Sequence, residues 1–340
     1  MKSEAKTVGF KKGERNIFFH ILTACNLQCR HCYINKQQHG NQTLDAKTIS
    51  DWLNLFYDPL KKSNLIFLGG EPTLHQDLAQ CVMGAKEIGY NVTVDTNGYL
   101  FHDFLEKTSP EFLDYLSFSL DGPDSEINDP IRGEGVFAVC TENIKKALNK
   151  KFKVGVIYTV SKINIDHLHR MVPLLSDLGV ERFFIQVIGL RGESAKPTMV
   201  SSAASQNNDW QVSKQQWLDI VPEVAKQGAE AGLHVTYPKV FLDEGEKFEC
   251  AGVVAENYFI FPNGRVYQCP LCEDYALHTY TIADNKLEVN PNLTEKMLFT
   301  LNIEEGCVMN KLLQPDTIEY DSSNRPLHRI SCCLLKKEIF

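Results

Sequence analysis

Three cysteines stand close together near the start of the chain, in the run Ala24-Cys25-Asn26-Leu27-Gln28-Cys29-Arg30-His31-Cys32-Tyr33. Thiolates at this spacing wrap round one metal centre. A [4Fe–4S] cube has four irons and normally takes four thiolates, so three local ligands leave one iron open for something else to bind. Zinc is a competing reading, but it usually takes four nitrogen or sulfur ligands in paired spacings. This loop offers three cysteines plus His31. A disulfide framework is the other alternative. The polar, Lys- and Glu-rich stretch from Met1 to Arg15 has no apolar secretory segment, so eleven cysteines point to metal or redox chemistry. Ahead of the cysteines, Asn16 to Leu22 is an apolar run of strand length. The loop therefore follows a strand's C-terminal end, which in a barrel of parallel strands is the catalytic face.

The pattern C-x3-C-x2-C after a first strand resembles the signature of the radical S-adenosylmethionine (SAM) enzymes. The resemblance implies that Cys25, Cys29 and Cys32 hold a [4Fe–4S] cluster whose open iron is chelated by SAM. It implies that an electron from the cluster cleaves SAM to methionine and a 5′-deoxyadenosyl radical, which removes a hydrogen atom from a substrate. An electron donor such as a flavodoxin or ferredoxin is implied too. Gly69-Gly70-Glu71-Pro72 directly follows the second strand and resembles the family's Gly-Gly-Glu motif. There the glycines let backbone approach the methionine part of SAM, and carbonyls or Glu71 accept from its ammonium group. Asp95-Thr96-Asn97-Gly98 ends the third strand and Ser119-Leu120-Asp121-Gly122 the fourth. By resemblance, Thr96, Asn97, Ser119 and Asp121 are candidates for the SAM ribose and carboxylate; turn chemistry is the plainer reading of both runs. Arg191, after the sixth strand, either pairs with the SAM carboxylate or lies in a surface linker. His31 and Tyr33, beside Cys32, lie against adenine or simply pack the loop.

A second cysteine group begins at Cys250, with thirteen residues to Gly264 and four more to Cys269. This spacing resembles the opening of the SPASM and twitch domains that follow many radical SAM barrels. Tyr258 to Phe261, Pro262 to Arg265 and Val266 to Cys269 read as a hairpin that brings Cys250 and Cys269 together. Cys272 completes a Cys-Pro-Leu-Cys knuckle, and Cys307, Cys332 and Cys333 come later. The full SPASM run is missing, and six downstream cysteines cannot supply the roughly eight ligands of two clusters. One auxiliary [4Fe–4S] cluster is expected, held by Cys250 and Cys269 with two of Cys272, Cys307, Cys332 and Cys333. Zinc is the alternative. In sulfatase-maturating relatives a carboxylate beside an auxiliary-cluster cysteine acts as base, which makes Glu273 a candidate. Cys81 and Cys140 sit inside helical patterns as small core residues.

The elements that must position these groups alternate. Strands are predicted at 16–22, 64–68, 91–95, 114–120, 154–160 and 182–188. Helices are predicted at about 44–57, 76–89, 100–107, 136–150 and 165–178, with Thr43 ahead of the first and Asp166 in the first turn of the last. Six βα units imply a parallel sheet with right-handed crossovers, which fits the partial (β/α)6 TIM-like barrel of the resembling family. The stretch 189–212 reads as a linker, and a helix follows at about 213–231. The expected fold is α/β: an N-terminal extension at 1–15, the barrel at 16–235, and a small α+β cysteine-rich SPASM/twitch-like domain at 236–340.

The chain has 340 residues, 43% hydrophobic and 23% charged, ordinary for a globular protein. There is no apolar run long enough to span a membrane, and the net charge of −8 argues against a broad nucleic-acid surface. The expectation is a cytoplasmic enzyme without nucleic-acid or membrane partners. Relatives with such a second domain mostly modify ribosomal peptides or protein side chains by crosslinking, epimerisation or oxidation. Only about fifteen residues precede the first strand, short for a leader-peptide recognition domain. A small-molecule dehydrogenase or tetrapyrrole-modifying enzyme is the alternative, and a non-catalytic Fe–S or zinc protein the third reading. Substrate identity has no motif.

Overall fold

Alternating strands and capped amphipathic helices build one continuous sheet. The computed structural model describes residues 4–196 and 210–340. The chain opens with β1 (Lys6–Val8) and β2 (Glu14–His20). It continues through β3 (Lys62–Leu68), β4 (Asn91–Thr96), β5 (Tyr115–Ser119), β6 (Val154–Val160), β7 (Arg182–Val187) and β8 (His234–Pro238). Then come β9 (Glu256–Ile260), β10 (Arg265–Tyr267), β11 (Tyr280–Ala283), β12 (Lys286–Val289) and β13 (Lys336–Ile339). The sheet order is β1-β13-β8-β7-β6-β5-β4-β3-β2-β9-β10-β11-β12. From β2 to β8 each strand lies parallel to the next, and β9 pairs parallel with β2 on the other side. The two ends of the sheet do not meet, so the barrel stays open.

Period-two burial positions the strands. Leu65 and Phe67 of β3, Val92 and Val94 of β4, and Leu116 and Phe118 of β5 are buried. They share one core with the helix residues Ile49, Leu53, Val82 and Ile144. The intervening strand residues are mostly half-buried. Near the N-terminal ends, asparagines lock the register. Asn91 donates to Asn64 (3.2 Å), Asn64 to Asn16 (2.9 Å) and Asn16 to Asn257 (3.0 Å). The last of these ties β9 to the barrel strands.

All six expected strands are present, joined by a seventh parallel strand, β8, whose short His-Val-Thr-Tyr-Pro run ends in proline. The first helix, Ala46–Phe56, is capped by Asp45, which accepts from Thr48 N at 2.8 Å. Thr43 instead bridges to Leu22. The expected helix at 100–107 shortens to Phe104–Lys107, and that at 165–178 divides into a 3-10 turn, Ile165–Arg170, and a helix, Met171–Leu178. An unexpected helix, Ser125–Arg132, is capped by Asp124 and contains Pro130. That proline disguises it in sequence. Part of the linker is ordered: Gly192–Ala195 forms a 3-10 turn, while 197–209 lies outside the described residues.

The expected division at 15/16 falls inside β2, and that at 235/236 inside β8. The C-terminal segment extends the barrel sheet at both edges: β9 to β12 beyond β2, and β13 beside β8. The expected hairpin is β9 and β10, turning at Gly264 with φ +83°. A second, smaller core of Phe259, Phe261, Tyr267, Leu271, Cys272 and Met309 sits under it. No helix among the described residues is long and apolar enough to cross a membrane.

Candidate functional site

The cysteine loop leaves the C-terminal end of β2 and is gripped from three sides. From the loop after β3, Gly70 N donates to Leu22 O (3.0 Å) and Glu71 N to Ala24 O (2.9 Å). A side chain has no room there. A Cβ on Gly69 would lie 2.8 Å from Leu22 O, and one on Gly70 would lie 2.2 Å from Ala24 O. From the helix Ser125–Arg132, Ile131 O accepts from Arg30 N (3.0 Å) and Arg132 O lies 3.8 Å from Cys29 Sγ. From the turn after β7, Glu193 N donates to Cys32 O at 2.7 Å, and a Cβ on Gly192 would sit 2.5 Å from the same oxygen. Cys25 is exposed; Cys29 and Cys32 are half-buried. Burial raises all three thiols, Cys29 to about 11; neighbouring thiols hold up Cys25 and Cys29 further, and Glu193 does the same for Cys32. A metal centre bound here would deprotonate them.

The polar strand ends converge on this loop. Glu71 is buried with both oxygens engaged. Oε1 accepts from Thr73 N (3.0 Å), Thr73 Oγ1 (2.6 Å) and Thr96 Oγ1 (2.7 Å), and Oε2 from Asn97 N (2.6 Å). Burial pushes its carboxyl up and these donors oppose it. Asn97 Nδ2 donates to Asn26 Oδ1 (2.8 Å) and lies 3.7 Å from Cys25 Sγ. Ser119 is half-buried, its carbonyl 3.9 Å from the Cys140 thiol. Asp121 is fully buried, with Arg132 Nε at 2.7 Å and His31 Nε2 at 3.0 Å from Oδ2, while Oδ1 accepts from Thr159 N (2.7 Å). Burial alone would raise Asp121; the guanidinium and imidazole overcome it and hold the carboxyl at about 2. Asn26 Nδ2 and His31 Nδ1 are buried beside the thiols without a hydrogen-bond partner. Unpartnered buried polar atoms next to a thiol triad fit a polar ligand there.

Tyr33 and Arg191 sit between the two cysteine groups. The Tyr33 hydroxyl pairs with His20 Nε2 (2.8 Å), and the Arg191 guanidinium lies 4.9 Å above the Tyr33 ring. Arg191 Nη1 is ion-paired with Glu273 and donates to Pro270 O (2.6 Å). Burial raises the Glu273 carboxyl to about 8 in spite of that cation. Gly192 N and Asn35 Nδ2 hold the next residue, Asp274, at 2.8 and 3.2 Å.

The later cysteines line one cavity: Cys250, Cys269, Cys307, Cys332 and Cys333, walled by apolar residues such as Phe248, Phe299 and Met309. Cys272 is buried outside that lining, against the Cys269 thiol and Glu295. Glu295 accepts from Gln268 N (2.6 Å), Cys269 N (3.0 Å) and Thr279 Oγ1 (2.9 Å). Burial raises it to about 7. Among the described residues no three His, Cys, Asp or Glu side chains form a group able to grip a single ion. Five sulfurs round an apolar cavity are nonetheless the donor set that an iron–sulfur cluster takes. Cys81 and Cys140 lie in the core.

Sequence reasoning missed Arg132, Asn26, His20 and Glu295. Arg132 lies on the unforeseen helix, and Glu295 stands in a run without periodicity. Only tertiary contacts reveal them.

Residues 19–175 match the model of the radical SAM superfamily. Over 186 residues the chain is 29% identical to a Fe-coproporphyrin III synthase of Methanosarcina barkeri, covering 53% of this chain and 45% of that one. The chain spans about half the length of the curated relatives it matches. Among solved structures, Streptococcus suis SuiB bound to its precursor peptide SuiA superposes with a TM-score of 0.55 at 15% identity, covering 90% of this chain and 65% of that one. anSMEcpe with bound AdoMet gives 0.59 at 15% identity, covering 88% and 82%. At such identities these two structures speak for the fold.

Proposed function

Because residues 19–175 are a radical SAM domain, we propose that this chain is a radical SAM enzyme with two iron–sulfur sites. Cys25, Cys29 and Cys32 hold the first cluster. Cys250, Cys269 and Cys307, with Cys332 or Cys333, hold an auxiliary one. When bound, the first cluster and SAM supply a 5′-deoxyadenosyl radical that takes a hydrogen atom from the substrate. The observation that carries this reading is the clamped thiol triad, with the unpartnered Asn26 and His31 nitrogens beside it.

The chain's own residues hold and orient. Glu71 ties the end of β3 to the end of β4, so the ammonium of SAM falls to backbone carbonyls near Gly69 and Gly70. Arg132 and Asp121 fix His31 beside Cys32. Ser119, Thr96 and Asn97 rim the mouth for ribose. Arg191, held by Glu273, aligns the Tyr33 side of the loop. The open side of the barrel admits substrate, and the closed core below excludes water.

The substrate we favour is a ribosomal peptide or protein side chain. Support comes from the likeness over 90% of this chain to a structure solved with a precursor peptide. A tetrapyrrole-type small molecule is the second reading, favoured by the aligned coproporphyrin synthase.

Anaerobically reconstituted protein is expected to bind about eight irons and, with dithionite, to cleave SAM to 5′-deoxyadenosine. The triple change of Cys25, Cys29 and Cys32 to Ala should remove about half the iron and all cleavage. S-adenosylhomocysteine as the main product, or zinc in the second site, would overturn the reading.

A further inference from the structure

One half-buried cation beside the auxiliary cavity has no carboxylate partner among the described residues. Lys336 begins β13 and is fixed in register between Val8 of β1 and Pro238 of β8. Its half-buried side chain crosses the Phe184 ring of β7, with Nζ 4.7 Å from the centroid. Nζ donates to the Cys333 carbonyl at 3.0 Å. Cys333 itself lines the auxiliary cavity. The other cations nearby have carboxyl partners: Arg191, which also faces Cys333, is paired with Glu273. Lys239, whose backbone bonds to Leu335 O, is paired with Asp243 and Glu246. A half-buried ammonium without a carboxylate partner gains from any anion brought near it. Thiolates bound to iron are such an anion.

Resting on the reading of this cavity as an auxiliary cluster site, we infer that Lys336 is the charge partner of that cluster and raises its reduction potential. A cluster becomes more negative on reduction, so a fixed cation on the backbone of one of its candidate ligands favours the reduced state. Cluster potentials follow net charge and surroundings in this way. Low-polarity surroundings, Phe184 against Lys336 and Phe299 and Met309 round the cavity, leave the interaction weakly screened. Lys336 is thus a positioning residue acting through charge.

The test is an EPR-monitored redox titration of the fully reconstituted protein, wild type against Lys336→Met and Lys336→Arg, with iron counted in each. The expected result is a downward shift for Lys336→Met of at least tenfold in the one-electron equilibrium, about 59 mV. Lys336→Arg should restore most of it, and the barrel cluster's potential should stay put in both. Loss of half the iron in the Met variant, regained in the Arg variant, would support the same pairing. An unchanged auxiliary potential at full iron content overturns the role of Lys336 and leaves the cluster reading intact. Wild-type protein that never holds more than about four irons overturns both.

Discussion

At the residue scale, Asp121 carries the heaviest load near the cysteine loop. One buried carboxylate faces Arg132 and His31, and both groups reach the loop: His31 lies within it and Arg132 O faces Cys29. Removing the charge leaves Arg132 buried without its partner. Asp121→Asn is expected to cost about 3–5 kcal/mol in urea unfolding at pH 7. The pH dependence has a definite sign. The folded carboxyl, at about 2, lies below its ordinary value of 3.8. Its contribution is therefore full above about pH 4 and is lost as acid approaches pH 2. Unfolding curves of wild type and variant should converge in that window.

At the element scale, close backbone approach decides whether the cysteine loop can form. Gly70→Ala would drive a Cβ to 2.2 Å from Ala24 O and 2.6 Å from Thr23 O, backbone atoms that cannot rotate away. The expected outcome is a loss of at least about 1–3 kcal/mol by denaturation and poor filling of the first cluster site by iron assay. Gly84→Ala is the control. It lies in the helix Leu78–Ile88 with nothing within 4 Å of its would-be Cβ, so it should gain about 0.5–1 kcal/mol. The glycines after β3 are thus needed first for the fold of the loop itself.

At the scale of the whole molecule, the sequence-distant halves are joined at sheet and site. β9 continues the barrel sheet, and the Arg191–Glu273 pair binds the turn after β7 to the segment after Cys272. Glu273→Leu leaves Arg191 buried and unpaired and should cost about 3–5 kcal/mol; adding Arg191→Met should recover most of that loss. Iron removal tests the other joint. Cys250, Cys269, Cys307 and Cys332 lie far apart in sequence, and a shared cluster would cross-link them. Chelation is expected to open the 250–335 region to limited proteolysis before β2 to β7 are cut.

Local pattern determined a good deal by itself. Eight residues hold Cys25, Cys29 and Cys32, so their chemistry was legible without knowing where the chain goes next. Strands β2 to β7 showed because burial on alternate residues writes a period into the sequence. What only the tertiary structure decided is long-range. No spacing says that Arg132 meets Asp121, that β9 lies beside β2, or that Cys272 turns to Glu295 while Cys332 and Cys333 face the cavity. Nothing in the local sequence marks Lys336 out. The physical reason is common to all four: strand register and loop closure bring together groups that sequence separation hides, and burial then changes what their charges mean.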